Sequence, residues 1–348
     1  MARHTHHPIF ISSTIVAYAT AMHRPHLIPK TAALVFLAAA LYLSLHIVHI
    51  PFPTIFHLSE FEAYDFNATV DEQQCFNNPF PASEPIPKIV HMVWAKNPEL
   101  NLLTYLAIRS ALDSIKPDQL KLHHAGLNDD NPWLRKLQNR ITMVPHDLHD
   151  EYPKQIQDNW RTPHIADAMR LDILHREGGI YLDMDVISLA PFDHILSTPK
   201  QVVLGHEGGD RQGLCNAVIL SRPGSPFIRR WIDTYLNFTR SEWNYHSVVL
   251  SKKLSLQHRD EVCELPPSVF FWPTWTNRHV RYMHEPITDQ QALDFASEIA
   301  ANGGAMYPDQ LAYHAWSHPA TKYFQKLTPQ LLKEQNTRFN VLVRRFVD

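Results

Sequence analysis

Between Thr162 and Asp185 the chain has little choice but to run as a helix, turn sharply and emerge as a strand. Thr162 has the chemistry of an N-cap, Pro163 fits the first helical position, and Gly178-Gly179 stops the helix after Glu177. Ile180-Tyr181-Leu182 then reads as a short buried strand that delivers Asp183-Met184-Asp185. In extended backbone, residues i and i+2 project to the same side, which predicts two carboxylates facing one cation. Oxygen ligation suits Mg²⁺ or Mn²⁺ rather than zinc. A dication with few protein ligands keeps positions free for a diphosphate. An isolated Asp-x-Asp also fits a solvated loop after a strand, so the flanking residues must decide.

The rest of the chain alternates strands and helices. Lys88 to Trp94 reads as a buried strand, Leu102 to Ile115 as a helix, and Leu120 to Ala125 as a strand. A short helix at Pro132 to Gln138 leads to a strand at Ile141 to Val144. Val202 to Gly205 and Asn216 to Ser221 read as further strands, and Phe227 to Phe238 and His246 to Leu254 as helices. The pattern predicts an α/β layered domain.

A formal net charge of -3, with 19% charged residues, excludes the basic surface of a nucleic-acid binder, so no nucleic-acid partner is expected. The apolar run from Thr31 to Ile50 is long enough, at ~1.5 Å per residue, to cross a bilayer core of roughly 30 Å. Arg3, Arg24 and Lys30 precede it, and the next basic residue is Lys88. The positive-inside rule then predicts a single-pass type II anchor. On this reading 1–30 is a cytoplasmic tail, 31–50 the transmembrane helix, 51–87 a stem or ordered wrap without helical period, and 88–348 a lumenal domain. A cleaved signal peptide competes, but the run starts late and is long. Ile9 to Met22 is a shorter apolar stretch, interrupted by Ser12, Ser13 and Thr14. The sequons Asn67-Ala68-Thr69 and Asn237-Phe238-Thr239 fit a lumenal body. Cys75, Cys215 and Cys263 allow one internal disulfide and leave one thiol. His206-Glu207 and His284-Glu285 lack a second His four residues after the first, which excludes a zinc-protease helix.

The run from His164 through Ile165-Ala166-Asp167-Ala168-Met169-Arg170, Gly178-Gly179 and Asp183-Met184-Asp185 to Val186 resembles the signature of glycosyltransferase family 32. That family includes fungal Golgi mannosyltransferases, and large clostridial glucosylating toxins are more distant relatives. Ile86-Pro87-Lys88-Ile89-Val90-His91-Met92-Val93-Trp94 resembles its first strand, and the order and spacing of the two blocks fit. The resemblance spans roughly Ile86 to Ser317. It implies a GT-A type nucleotide-sugar fold with a mixed central sheet and the Asp-x-Asp at a strand end.

Asp183 and Asp185 are the catalytic candidates, binding metal and diphosphate. Asp167 and Arg170 lie three apart on one helix face, which by itself describes an ordinary intrahelical ion pair. The resemblance assigns the Asp to sugar hydroxyls and the Arg to sugar or diphosphate, chemistry that suits a carboxylate and a guanidinium fork. Asp172, outside the matched pattern, reads as structural. Trp94 is either a core aromatic or the residue that stacks on the nucleotide base. Tyr181 either lines the donor site or packs, and Asn216 either binds donor or acceptor or caps its strand. His314, Trp316 and Ser317 resemble a late element that closes over the diphosphate, with His314 completing the metal site, although the same residues would serve a polar-aromatic surface turn. The run Phe270 to Trp275 is either an acceptor platform or core. Relatives carry a Gly-Pro turn near His246 that this chain lacks, so no catalytic role is assigned there.

The resemblance therefore implies a metal-dependent retaining hexosyltransferase, mannose being the favoured sugar, in the Golgi or ER membrane, with Mn²⁺ or Mg²⁺ as cofactor. Its partners would be a nucleotide-sugar, GDP-mannose or a UDP-hexose, and a glycan or glycolipid acceptor. The competing readings are a UDP-galactose or UDP-glucose transferase, a non-catalytic membrane-anchored sugar-binding protein, and a metal-dependent phosphohydrolase. The last is disfavoured because the paired acids have no further acid or His ligands at recognisable spacing.

Overall fold

The computed structural model describes residues 68–78, 80–95, 97–151, 162–235, 238 and 244–347. The tail, the 31–50 anchor, the Ile9 to Met22 stretch, Asn67 and Asn237 lie outside these residues. Among the described residues no helix is long and apolar enough to cross a membrane.

Nine strands carry the fold among the described residues: β1 (Ile89–Ala95), β2 (Gln119–Ala125), β3 (Thr142–Pro145), β4 (Gly179–Leu182), β5 (Val186–Ser188), β6 (Val202–His206), β7 (Leu214–Ser221), β8 (Val262–Leu265) and β9 (Ala312–His314). The main sheet has seven strands in the order β3-β2-β1-β4-β7-β6-β8, and β5 and β9 form a separate pair. β1 to β4 run parallel, β7 is antiparallel to β4 and β6, and β6 is parallel to β8. The sheet is therefore mixed.

Five helices frame or support the site: α1 (Val70–Asn77), α2 (Leu102–Ser110), α3 (Thr162–Glu177), α4 (Pro226–Thr234) and α5 (Leu250–Gln257). Successive strand residues serve opposite faces. Ile180 and Leu182 of β4 join the core that includes α2, whereas Tyr181 joins the one built with Ile165, Met169 and Ile173 of α3 and Trp231 of α4. Burial on both faces explains the near-continuous apolar runs of β4 and β7.

Several boundaries differ from the sequence reading. The helix from Leu102 loosens after Ser110 into a π-turn, Ala111–Ile115. The helix expected over Phe227 to Phe238 starts at Pro226, capped by Ser225, and ends at Thr234. The one expected from His246 opens as a π-turn, Tyr245–Val249, before becoming α5. The stretch read as having no helical period contains α1, whose Thr69 and Glu72 form a capping box. Cys75 on α1 is disulfide-bonded to Cys263 on β8, and Cys215 is the buried free thiol. That part of the 51–87 stretch is thus an ordered wrap, tied through Cys75 to β8.

The Gly178-Gly179 corner is set by space as well as by backbone angle. Gly179 has φ +103°, and a Cβ there would lie 2.5 Å from the carbonyl oxygen of Ile89 and 3.2 Å from the His91 ring. The Ile89 carbonyl belongs to β1, so relief would require moving a central strand. Gly179→Ala is expected to cost about 2 to 4 kcal/mol in denaturant unfolding. An unchanged midpoint would show that β1 can yield.

A buried histidine chain stitches the parallel half together. His91 Nε2 donates to the Gly178 carbonyl (3.1 Å), which leaves Nδ1 to accept from His123 Nε2 (3.0 Å). His123 Nδ1 in turn accepts from His146 Nε2 (2.9 Å), and His146 Nδ1 meets Glu151 Oε2 (2.7 Å). The carbonyl can only accept, and that fixes the direction of the chain.

Candidate active site

In the parallel half of the sheet the chain passes from β1 outward to β2 and β3, then returns through α3 to β4 on the other side of β1. Such a reversal opens a crevice at the carboxyl ends of the two strands, where α/β sheets take ligands. Trp94 sits near the end of β1, and Asp183 is the first residue after β4.

The two aspartates meet for a reason other than the expected one. Asp183 to Val186 is a tight turn, closed by a bond from the Val186 N–H to the Asp183 carbonyl (3.0 Å), and is not extended backbone. The chain must turn here because β5 leaves the main sheet to pair with β9, Val186 opposite His314. That pairing supplies the third side chain. His314 Nε2 lies 3.1 Å from Asp185 Oδ1, the Ser317 N–H donates to Asp185 Oδ2 (2.8 Å), and the Ala315 N–H donates to the Asp185 carbonyl (2.8 Å). Trp316 holds a left-handed φ of +50°, with its indole N–H on the Pro273 carbonyl (2.8 Å) and its ring 4.0 Å from that of His314.

One ligand atom from each of Asp183, Asp185 and His314 lies within 4.8 Å of the others. Burial and the neighbouring Asp185 charge raise the Asp183 carboxyl above its ordinary value, although Arg170 opposes them. Burial would raise Asp185 too, but His314 and the Ser317 bonds hold it well below the usual range. Burial disfavours charge on His314, yet Asp185 beside it, with Asp183 and Glu207, raises its pKa. Burial first, and the like charge of Asp185 after it, push Asp183 towards protonation, which a positive charge at the cluster would oppose. Two carboxylates and an imidazole suit a divalent metal.

Behind Asp183 stands Arg170, 4% exposed. Its NH2 lies 3.1 Å from both Asp183 Oδ1 and Asp167 Oδ1, NH1 donates to the Asn216 carbonyl (2.9 Å), and Nε donates to the Ala166 carbonyl (3.3 Å). The guanidinium lies 4.4 Å from the Tyr181 ring centroid, and the Tyr181 hydroxyl donates to Asp183 Oδ1 (2.7 Å). Asn216 Nδ2 donates to Asp167 Oδ1 (2.8 Å). Arg170 is thus largely committed to holding two carboxylates and the start of β7. Asp172 is exposed and pairs with Arg176 at 3.4 Å.

The structure joins Asp167, Arg170, Tyr181, Asp183, Asp185, Asn216, His314, Trp316 and Ser317 through direct contacts. Trp94 is half-buried at the same sheet end, with its indole nitrogen unbonded, and no hydrogen bond links it to the cluster. The aromatic run divides: Phe270, Phe271 and Trp272 are fully buried core, whereas Trp275 is 40% exposed against Trp316, 5.4 Å between rings. Sequence reasoning missed Glu207, whose carboxyl is pushed up to about 7 by burial and by Asp210, against the pull of His314 and a bond with the Cys215 side chain. Its only sequence cue, His206-Glu207, pointed to a motif that fails. A cavity of about 610 Å³ lies elsewhere, beside α1 and β8. Two ion pairs line it, Arg211 with Glu72 at 2.8 Å and Lys252 with Glu264 at 2.6 Å.

The chain is 34% identical over 279 residues to glucan organizing enzyme 1 of Cryptococcus neoformans var. grubii, an alignment covering 75% of this chain and 71% of that protein. Residues 86–201 match the family described as the glycosyltransferase sugar-binding region containing DXD motif. The chain belongs to this family. Within the DXD glycosyltransferases it is also 29% identical over 170 residues to inositol phosphoceramide mannosyltransferase 3 of Schizosaccharomyces pombe, covering 47% of this chain and 40% of that one. Among solved structures, the PaToxG glycosyltransferase aligns over 78% of this chain and 89% of its own, at 15% identity and TM-score 0.43. The DXD of the family's description corresponds here to Asp183-Met184-Asp185, inside the matched residues.

Proposed function

We propose that this DXD glycosyltransferase moves a hexose, mannose in the first instance, from a nucleotide-sugar to a glycan or glycolipid acceptor, with retention of anomeric configuration, on a GT-A type scaffold. The observation that carries the reading is the Asp183/Asp185/His314 cluster at the crevice between β1 and β4, backed by Arg170, Asp167 and Asn216. Likeness to an inositol phosphoceramide mannosyltransferase favours mannose and a lipid-borne acceptor. Likeness to a protein named for glucan keeps a UDP-hexose as the second reading.

Asp183, Asp185 and His314 would hold Mn²⁺ or Mg²⁺, which when bound neutralises the diphosphate leaving group. Tyr181 and Arg170 fix the Asp183 carboxylate, and the turn from His314 to Ser317 fixes that of Asp185. Asp167 presents its free oxygen to sugar hydroxyls. Trp94, at the end of β1, offers a ring for the base. The body is assigned to the Golgi or ER lumen, with 31–50 as a type II anchor and 51–87 as the segment leading to it.

Incubating the full-length protein with Mn²⁺ and single nucleotide-sugars should release nucleotide slowly from one donor, GDP-mannose, and a chelator should stop the release. Turnover of UDP-hexoses alone would reject mannose. Metal-dependent binding without turnover of any donor would favour a non-catalytic sugar-binding protein, and absence of binding would overturn the proposal.

A further inference from the structure

His246 is 6% exposed, and both of its ring nitrogens are buried without a hydrogen-bond partner, a combination unique to it among the described histidines. Leaving a buried donor and acceptor unmade is costly, and such a group in a native fold calls for a ligand or water. Aromatic neighbours hold the ring in place. It packs against Tyr235 (5.1 Å between centroids), Phe238 (5.0 Å) and Tyr245 (5.2 Å), and its own carbonyl accepts from Trp231 Nε1 (2.8 Å). It projects from the π-turn Tyr245–Val249, a distortion frequent at functional sites.

The charged groups acting on this ring are Asp167 and His164. Asp167 Oδ1 is used by Asn216 at 2.8 Å and Arg170 at 3.1 Å. Among the described residues Oδ2 has only His164 Nδ1 at 3.8 Å, too far for a hydrogen bond. The Phe238 ring, 4.8 Å from that of His164, lies in the same wall. An open carboxylate oxygen, an imidazole with one donor and one acceptor, and aromatic faces for C–H surface together match a vicinal diol on a pyranose.

We propose that His246 is a specificity-determining contact for the transferred hexose, bonding a hydroxyl adjacent to the one that Asp167 Oδ2 accepts from. This rests on the reading that the site takes a nucleotide-sugar. His246 selects the sugar and does not touch the diphosphate.

The test compares nucleotide with nucleotide-sugar. Equilibrium affinities of the full-length protein with Mn²⁺ are measured for GDP and GDP-mannose, and for UDP and UDP-glucose. In His246→Phe, which fills the aromatic niche without hydrogen bonding, the nucleotide-sugar should weaken about three- to tenfold while the bare nucleotide is unchanged. His246→Gln, which keeps a donor and an acceptor, should recover part of the loss. Equal weakening of nucleotide and nucleotide-sugar would assign His246 to packing, and no change in either would also overturn the proposal. A wild-type protein that binds neither nucleotide overturns the nucleotide-sugar reading itself and this inference with it. Wild-type affinity for the nucleotides, without any sugar-dependent loss in His246→Phe, sinks the inference alone.

Discussion

Asp183→Asn should lower donor turnover at least about a thousandfold, a loss of roughly 4 kcal/mol in transition-state stabilisation, without unfolding the protein. The amide is close in size to the carboxylate, and its oxygen can still accept from the Tyr181 hydroxyl, which lies 2.7 Å from Asp183 Oδ1 in the native protein. What it removes is charge, at the point where Arg170 NH2 approaches at 3.1 Å and Asp185 and His314 converge. Burial and Asp185 already raise the Asp183 carboxyl, so its ionised form needs positive charge nearby, from Arg170 and from a bound cation. Asp185→Asn should act through a different contact. Its Oδ2 accepts from the Ser317 N–H and its Oδ1 faces His314, so an amide would also loosen the turn from His314 to Ser317. Asp172→Asn, on α3 but exposed, is the control and should leave turnover within twofold. The assay is nucleotide release with Mn²⁺ titrated, alongside thermal unfolding. Wild-type turnover and an unaltered metal requirement in Asp183→Asn would remove that residue from the site.

What could be read in the sequence was mostly what lies close along it. The helix, the Gly-Gly stop, the strand and the Asp-x-Asp occupy one continuous stretch, and capping chemistry with apolar period marks each part. The conformation of the acidic pair was harder to see, because the turn at Asp183 is imposed by β5, which pairs with a strand far away in the chain. Three-residue strands such as β5 and β9 carry no usable alternation, so their pairing is legible only in space. His314, Trp316 and Ser317 could be named from a resemblance, but their attachment to Asp185 could not. Arg170 shows the opposite gap: a charge three residues from Asp167 looked like a ligand-binding fork, and burial turned it inward onto protein groups. The chain of His91, His123 and His146 left no pattern, since it is assembled from separate strands and loops, and the one cue at Glu207 pointed to the wrong motif.

Because of its buried histidines, the protein should lose stability steeply as pH falls from about 6.5 towards 4. Burial depresses His91 to about 4 and His123 to about 3. His279 and His284 are likewise held at about 4, by burial. In the unfolded chain each titrates near 6.5. Between these values the unfolded state binds protons that the native state refuses, so stability is full above about pH 6.5 and declines as pH falls. Each unit of difference is about 1.4 kcal/mol per group, hence roughly 3 kcal/mol for His91 alone by pH 4. Three groups work the other way: Glu207, and also Asp183 and His314, whose pKa values are raised in the folded protein. Glu207, raised to about 7, is protonated earlier in the native state than in the unfolded one and favours folding as pH falls to its unfolded value. The four depressed histidines set the net direction, and below about pH 4 Glu264, lowered to about 2 by its bonds to His206, Lys252 and Ser255 despite burial, adds to the loss. The hydrogen-bonded chain of rings makes the loss cooperative, because an imidazolium cannot accept and one proton on His91 or His123 breaks a link between strands. Urea unfolding of the full-length protein at pH 7, 6 and 5 should show a falling free energy, with proton uptake on unfolding at pH 5. His123→Asn should cost stability at pH 7 and flatten that slope, since it removes one of the groups that titrates only in the unfolded chain. Stability that holds or rises from pH 7 to pH 5 would show that these rings are already charged, or already wet, in the native protein.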